Sequence, residues 1–220
     1  MLQSSMRSQL ARLKLHIGFI QKRTIMDPKS LGPMQVYFNG AKEQLKLTPP
    51  ENKHWSCSGN RSIAIAVELL RDGKVIAIPT DTIYGIAASA ENNDAIEKIY
   101  RIKGRDENKP LAICVNNVND VKNWGLVDDI THDILVALLP GPYTIILKRL
   151  PTLNPNLNPG IDTVGIRVPD SKFVRSVTKF VGPLALTSAN RSNNESSLKP
   201  DEFSELWSDL DGIFYGQNLK

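Results

Sequence analysis

The sequence predicts an α/β domain built on a twisted, partly parallel sheet. Three observations carry that reading. Short apolar runs of strand length alternate with segments whose apolar residues recur at helical spacing. Of 220 residues, 41% are hydrophobic and 23% charged, which is globular composition. The longest uninterrupted aliphatic run is Ile134 to Leu139, far short of the roughly 20 residues that cross a bilayer, so no integral membrane segment is expected.

The elements follow in chain order. Residues 1–26 read as a mitochondrial transit peptide: Arg7, Arg12, Lys14, Lys22 and Arg23 stand without one Asp or Glu, and Met6, Leu10, Leu13, Ile17 and Ile20 form one apolar helical stripe. Met26 is a candidate second start, which gives an expectation of a mitochondrial form, a cytoplasmic form, or both. Residues 27–59 carry Pro28, Gly32, Pro33, Pro49, Pro50 and Gly59 in a polar stretch and read as a linker with at most one short element.

The ordered domain is expected over residues 60–216, with 217–220 as a tail. Ile63, Ala66, Val67 and Leu70 give a helix that stops at Gly73. Val75–Ile78 is a buried strand and Ala95–Ile102 a helix. Leu111–Val115 is a strand, and Val118–Trp124 and Thr131–Leu139 are helical. After the Pro140-Gly-Pro142 turn, Tyr143–Leu147 and Val164–Val168 are strands. Ser171–Phe180 is a helix, Leu184–Thr187 a strand, and Pro200–Leu210 a helix with proline in its first turn.

Charge and composition exclude several function classes. Once residues 1–26 are set aside, 22 basic side chains face 23 acidic ones, a net charge of −1. A globally basic nucleic-acid-coating protein is therefore disfavoured. Two cysteines exclude a disulfide scaffold, and the three scattered histidines form no metal-ligand pair, so no protein-held metal is expected. His54 and Cys57 stand three apart with no second ligand pair nearby.

The chemistry-bearing residues gather at strand ends, where open α/β sheets bind ligands. Pro79-Thr-Asp-Thr-Ile-Tyr-Gly85 follows a buried strand and places Thr80 and Thr82 there. Arg101, Lys103, Arg105 and Lys109 make a cationic knot around Gly104, suited to a polyanion such as a triphosphate. Thr144 and Lys148 stand four apart on a strand, so a hydroxyl and an ammonium share one wall. Arg167 ends an otherwise apolar strand, a position where arginine is paired or faces a ligand. Thr187, Ser188 and Asn190 end another strand with groups able to bond phosphate oxygens or a zwitterion, or to cap a helix.

Five stretches in order, PTDTIYG (79–85), KGRDENKPL (103–111), PGPYTIIL (140–147), GIRVP (165–169) and TSAN (187–190), resemble the Sua5/YrdC family of threonylcarbamoyl-AMP synthases across roughly residues 61–215. The animal YrdC-domain proteins are the subgroup it resembles. The resemblance implies a YrdC-like α/β fold with a concave cationic face of the kind linked to double-stranded RNA. It implies a nucleotidyltransferase that makes L-threonylcarbamoyladenylate from L-threonine, bicarbonate or CO2, and ATP, releasing pyrophosphate. The product is passed to a tRNA threonylcarbamoyl transferase for t6A modification beside the anticodon, and contact with tRNA itself is weak or indirect.

The resemblance also assigns residues. Lys103 and Arg105 are the implied catalytic pair. Arg105, Lys109, Thr144, Ser188 and Asn190 are implied at ATP, and Thr82, Lys148, Arg167 and Thr187 at threonine. Mg²⁺ enters on the nucleotide. Cys114 stands where some relatives carry histidine beside the amino acid. Relatives continue into a closing segment where this chain ends at Lys220, so weaker ATP binding than in a longer relative is expected. Two other readings follow from these features: a weakened or inactive paralogue or fragment that binds a partner, and an RNA-binding module.

Overall fold

Val75, Ile76, Ala77 and Ile78 are fully buried, and around them an eight-stranded mixed sheet is built. The computed structural model describes residues 32–49, 51–104, 110–191 and 194–216. The elements are α1 (Met34–Leu47), β1 (His54–Ser56), α2 (Gly59–Arg71), β2 (Ile76–Pro79), β3 (Tyr84–Ser89), α3 (Asn93–Lys103), β4 (Ala112–Cys114), α4 (His132–Leu138), β5 (Ile145–Lys148), β6 (Thr163–Arg167), α5 (Lys172–Val181), β7 (Leu184–Ser188) and β8 (Gly212–Tyr215). Val118–Asn123 and Pro200–Asp209 are helical but of the tighter 3₁₀ type, the second kinked at Phe203.

The strand order is β1-β8-β2-β3-β7-β4-β6-β5. The pairs β1–β8, β2–β8 and β4–β6 are parallel and the other four antiparallel, so the sheet is partly parallel, as the alternation of elements predicts. Helix starts are set locally. Asn92 Oδ1 accepts from Ala95 N–H at 2.9 Å to cap α3, and Ser171 caps α5 through Val174 N–H at 3.4 Å. Gly104, with φ 53°, takes the left-handed conformation that ends α3.

Because side chains alternate along a strand, the register defines two faces. One carries Ala77, Ile86, Ile113, Ile166, Ala185 and Ile213, all buried in one cluster with Ile96, Ile99 and Ile102 of α3. The other face is covered over β8 and β2. There Phe173 of α5 meets Phe214 at a ring separation of 5.3 Å, and Leu69 of α2 lies against Gly212. Over β6 and β5 the same face is open: Gly165 is half-buried and Ile146, its register partner, is 71% exposed.

Three expectations are corrected. Residues 27–59 are not a linker throughout, since they include α1 and β1. Phe38 of α1 is buried against Phe180 at 5.2 Å and Arg71 lies over its ring, so Phe38, with the buried Ala41, anchors the helix. β1 gains its strand only by pairing with β8. The sequence pattern gives no strand at β3 or at β8, and both lie inside the sheet. The transit-peptide segment 1–26 and the tail 217–220 lie outside the described residues.

Candidate active site

The turn between β2 and β3 is wired through one hydroxyl. Thr80 is buried; its Oγ1 donates to Ile83 O at 2.7 Å and accepts from the N–H groups of Thr82 and Ile83 at 3.1 and 3.2 Å. The Thr80 hydroxyl also lies 3.2 Å from that of Thr82, a contact in which either can donate. Tyr84 fastens the start of β3: its N–H donates to Ser197 O at 2.8 Å, and its Oη accepts from Gly216 N–H at 3.0 Å. Gly85 closes the motif because a Cβ there would lie 2.9 Å from Leu186 Cδ1 and 3.1 Å from Thr187 O.

Lys103, the last residue of α3, is only 4% exposed and reaches the end of β7. Its Nζ donates to Ser188 O at 2.7 Å, to Asn190 Oδ1 at 3.0 Å and to Asn190 O, with Ser188 Oγ at 3.4 Å. An ammonium has three protons, and protein oxygens surround this one. Asn190 is itself held, its Nδ2 donating to Arg191 O at 3.0 Å. The structure therefore brings Lys103, Ser188 and Asn190 into one network, although they lie more than 80 residues apart in sequence.

A second cluster forms around Arg167. Its Nη2 donates to Asp81 Oδ1 at 2.7 Å and to Thr82 Oγ1 at 3.2 Å. The other Asp81 oxygen accepts from Asp170 N–H at 3.1 Å. The side chains of Arg167 and Asp81 are 12% and 10% exposed. Arg167 Nε is buried and finds no hydrogen-bond partner among the described residues. Asp81 carries no role in the sequence reading, although it sits inside the motif; its partner lies 86 residues away.

Cys114 is the register partner of Arg167 and fully buried. Burial pushes its thiol up to about 12, with Arg167 pulling down and Asp81 pushing up by smaller amounts. Cys57 is also pushed up to about 12 by burial. Both are expected to be unreactive toward a thiol reagent at pH 8 and to react once urea unfolds the chain; a fast native thiol would contradict this. The sign for stability follows. An unfolded thiol ionises near 9.0 and the folded one near 12, so stability is fully present below 9 and declines between those values as pH rises.

Thr144 and Lys148 are exposed, and with Ile146 they share the face of Gly165 and Arg167. A Cβ on Gly165 would lie 2.9 Å from Thr144 Cγ2, so the glycine lets Thr144 lie flat on the sheet. Ser188 is on this face too, through Gly85, Leu186 and Ala112. Thr187 is the exception. Strand alternation turns its side chain to the side of Ile86 and Ala185, away from Ser188. Arg105 and Lys109 lie outside the described residues.

No group of three or more His, Cys, Asp or Glu among the described residues could hold a metal ion. The side-chain oxygens of Ser188 and Asn190 face the Lys103 ammonium, so a hard cation near them would be held by phosphate and water.

Comparison with known proteins places this arrangement. Residues 68–220 match the Sua5_yciO_yrdC family, described as "Telomere recombination". The chain is 45% identical over 168 residues to a threonylcarbamoyl-AMP synthase of Bos taurus, covering 76% of this chain and 59% of that one. It is 31% identical over 157 residues to a putative threonylcarbamoyl-AMP synthase of Mycobacterium leprae, covering 70% of each. Among solved structures it is similar to P. abyssi Sua5 complexed with L-threonine, with a TM-score of 0.66 and 27% identity over 71% of this chain and 47% of that chain. It is also similar to E. coli YciO, with a TM-score of 0.69 and 27% identity over 76% and 83%. The chain spans about three fifths of the length of the mammalian relatives it matches. A match over more than half its residues, on a sheet of the same architecture, makes this chain a member of the Sua5/YciO/YrdC family.

Proposed function

We propose that this chain is a nucleotidyltransferase that forms L-threonylcarbamoyladenylate from L-threonine, bicarbonate or CO2, and ATP, releasing pyrophosphate. The observation that carries the reading is a pair of complementary clusters, one at the end of β6 and one at the end of β7. Arg167 places its guanidinium beside the Thr82 hydroxyl, a pair of groups suited to a carboxylate. Lys103, Ser188 and Asn190 form a cationic, oxygen-rich network suited to phosphate chemistry.

In this reading the threonine amine takes up CO2 to give a carbamate. A carbamate oxygen attacks the α-phosphorus of ATP in line, a P–O bond forms, and the bond to pyrophosphate breaks. Negative charge gathers on phosphate oxygens, so preorganised cations and donors lower the barrier. Lys103 sets the Ser188–Asn190 segment and supplies its positive charge; Arg105 and Lys109 hold the triphosphate, with Thr144 beside the nucleotide. Thr82 and Arg167 take the threonine carboxylate, and Lys148 lies on the same open wall. Mg²⁺ would be carried by the nucleotide, where it would neutralise phosphate charge. A tRNA threonylcarbamoyl transferase consumes the product. Residues 1–26 act as a targeting segment for a mitochondrial form.

The experiment is pyrophosphate release by the purified chain with ATP, Mg²⁺, bicarbonate and L-threonine. Release that depends on threonine is expected. Release unaffected by omitting threonine, or none from a folded protein, would overturn the synthase reading and leave the inactive-paralogue reading.

A further inference from the structure

The carboxylate of Asp81 does two jobs at once, and neither involves the substrate directly. Oδ1 accepts from Arg167 Nη2 at 2.7 Å, and Oδ2 accepts from the backbone N–H of Asp170 at 3.1 Å. It therefore joins the turn after β2 to the segment that leaves β6. A guanidinium has five N–H donors in a fixed plane. Nη2 has two of them, and its two recorded acceptors are Asp81 and Thr82 Oγ1. With that nitrogen fixed, the plane of the guanidinium is held in one orientation. The ion pair is itself largely removed from water, so the orientation does not relax by solvation.

We infer that Asp81 is a positioning residue: it aims the guanidinium of Arg167, and with it the Thr82 hydroxyl, at the carboxylate of the amino-acid substrate. The assignment rests on the proposed function, since it requires an amino acid at this face. Asp81 touches Arg167, not the substrate.

Charge and geometry give opposite signs, which makes the assignment testable. Asp81 is negative, so as a mere neighbour it repels a substrate carboxylate, and Asp81→Asn would tighten threonine binding. As a positioning residue it does the reverse. An amide has one acceptor oxygen and a donor NH₂. It cannot accept from both Arg167 and the Asp170 N–H, so one link is lost and Arg167 turns.

The test uses the full chain with L-threonine and L-threoninamide, which lacks the carboxylate. Asp81→Asn is expected to raise the KM for threonine about 10-fold or more. The kcat at saturating threonine and the KM for ATP should change by less than about 2-fold. Threoninamide, already weak with the unaltered chain, should lose nothing further. Should Asp81→Asn fail to fold by thermal melting, Asp81→Glu carries the same test: it keeps two acceptors and the charge, but its extra methylene moves Arg167. Unchanged or tighter threonine binding overturns the assignment, and so does an equal loss for threonine and threoninamide. If the unaltered chain shows no threonine dependence, the function reading falls first and this assignment with it. If threonine dependence is intact and indifferent to residue 81, only this assignment falls.

Discussion

Lys103→Met is expected to lower threonine-dependent pyrophosphate release by about a thousand-fold, at the upper end of the effect of removing one preorganised donor. The reason is the position of the ammonium. It is almost fully buried and is held by Ser188 O, Asn190 O and Asn190 Oδ1. Methionine has a similar length and no donor, so those acceptors lose their partner and the segment carrying Ser188 and Asn190 loses both its anchor and its charge. The same loss is a stability effect. Each buried acceptor left without a donor costs about 1–3 kcal/mol, so a lowered Tm must accompany the lowered rate. A comparison separates the two consequences. Ser188 Oγ is 3.4 Å from Nζ, a marginal contact. Ser188→Ala should therefore leave the Tm within about 2 °C, as a surface-like change does, while reducing turnover. A Lys103→Met protein that melts normally and turns over normally would remove Lys103 from both roles.

The strands with strong apolar runs were legible because burial on both faces leaves a simple pattern, as at Val75–Ile78 and Leu184–Thr187. β3 was not. Its sequence Tyr-Gly-Ile-Ala-Ala-Ser has one β-branched residue, and its glycine and alanines are there because neighbours approach closely, as Leu186 does at Gly85. That need comes from the tertiary structure, and propensity has no access to it. α1 was hidden for a related reason. Gly40 interrupts its middle, and only Phe38 and Ala41 are buried, so its apolar stripe is too narrow to read.

The site divided along the same line. Lys103, Ser188 and Asn190 were singled out from short stretches of sequence, because each stretch carries its own turn chemistry. The pairing of Asp81 with Arg167 was invisible, since it depends on two segments meeting across the fold. Adjacent strand residues point to opposite faces, so Thr187 and Ser188 do not share a wall through their side chains.

Asn158→Ala is expected to be the most destabilising single change away from the reacting groups, at about 3–4 kcal/mol. Asn158 is 1% exposed and has φ 53°, the left-handed region that asparagine tolerates better than alanine. Its Oδ1 accepts from Leu111 N–H at 2.7 Å and from Tyr100 Oη at 3.0 Å, while its Nδ2 donates to Leu111 O at 2.8 Å. The backbone around it is fixed by Arg149, whose Nη1 donates to Leu157 O at 2.7 Å and whose Nη2 donates to Asn154 O at 2.7 Å. One buried amide therefore ties α3, through Tyr100, to Leu111 at the approach to β4. Those two points lie on either side of Lys103 and of the stretch that carries Arg105 and Lys109. For a chain of this size 3–4 kcal/mol is a Tm loss of roughly 6–16 °C. Asn158→Gly separates the causes: it removes the same bonds but tolerates the positive φ, so it should be about 1 kcal/mol more stable than the alanine variant. Exchange of the Leu111 amide should accelerate in both variants, and the KM for ATP should rise with it. If Asn158→Gly melts like the unaltered chain, the three side-chain bonds contribute nothing, and the order at this approach has another source.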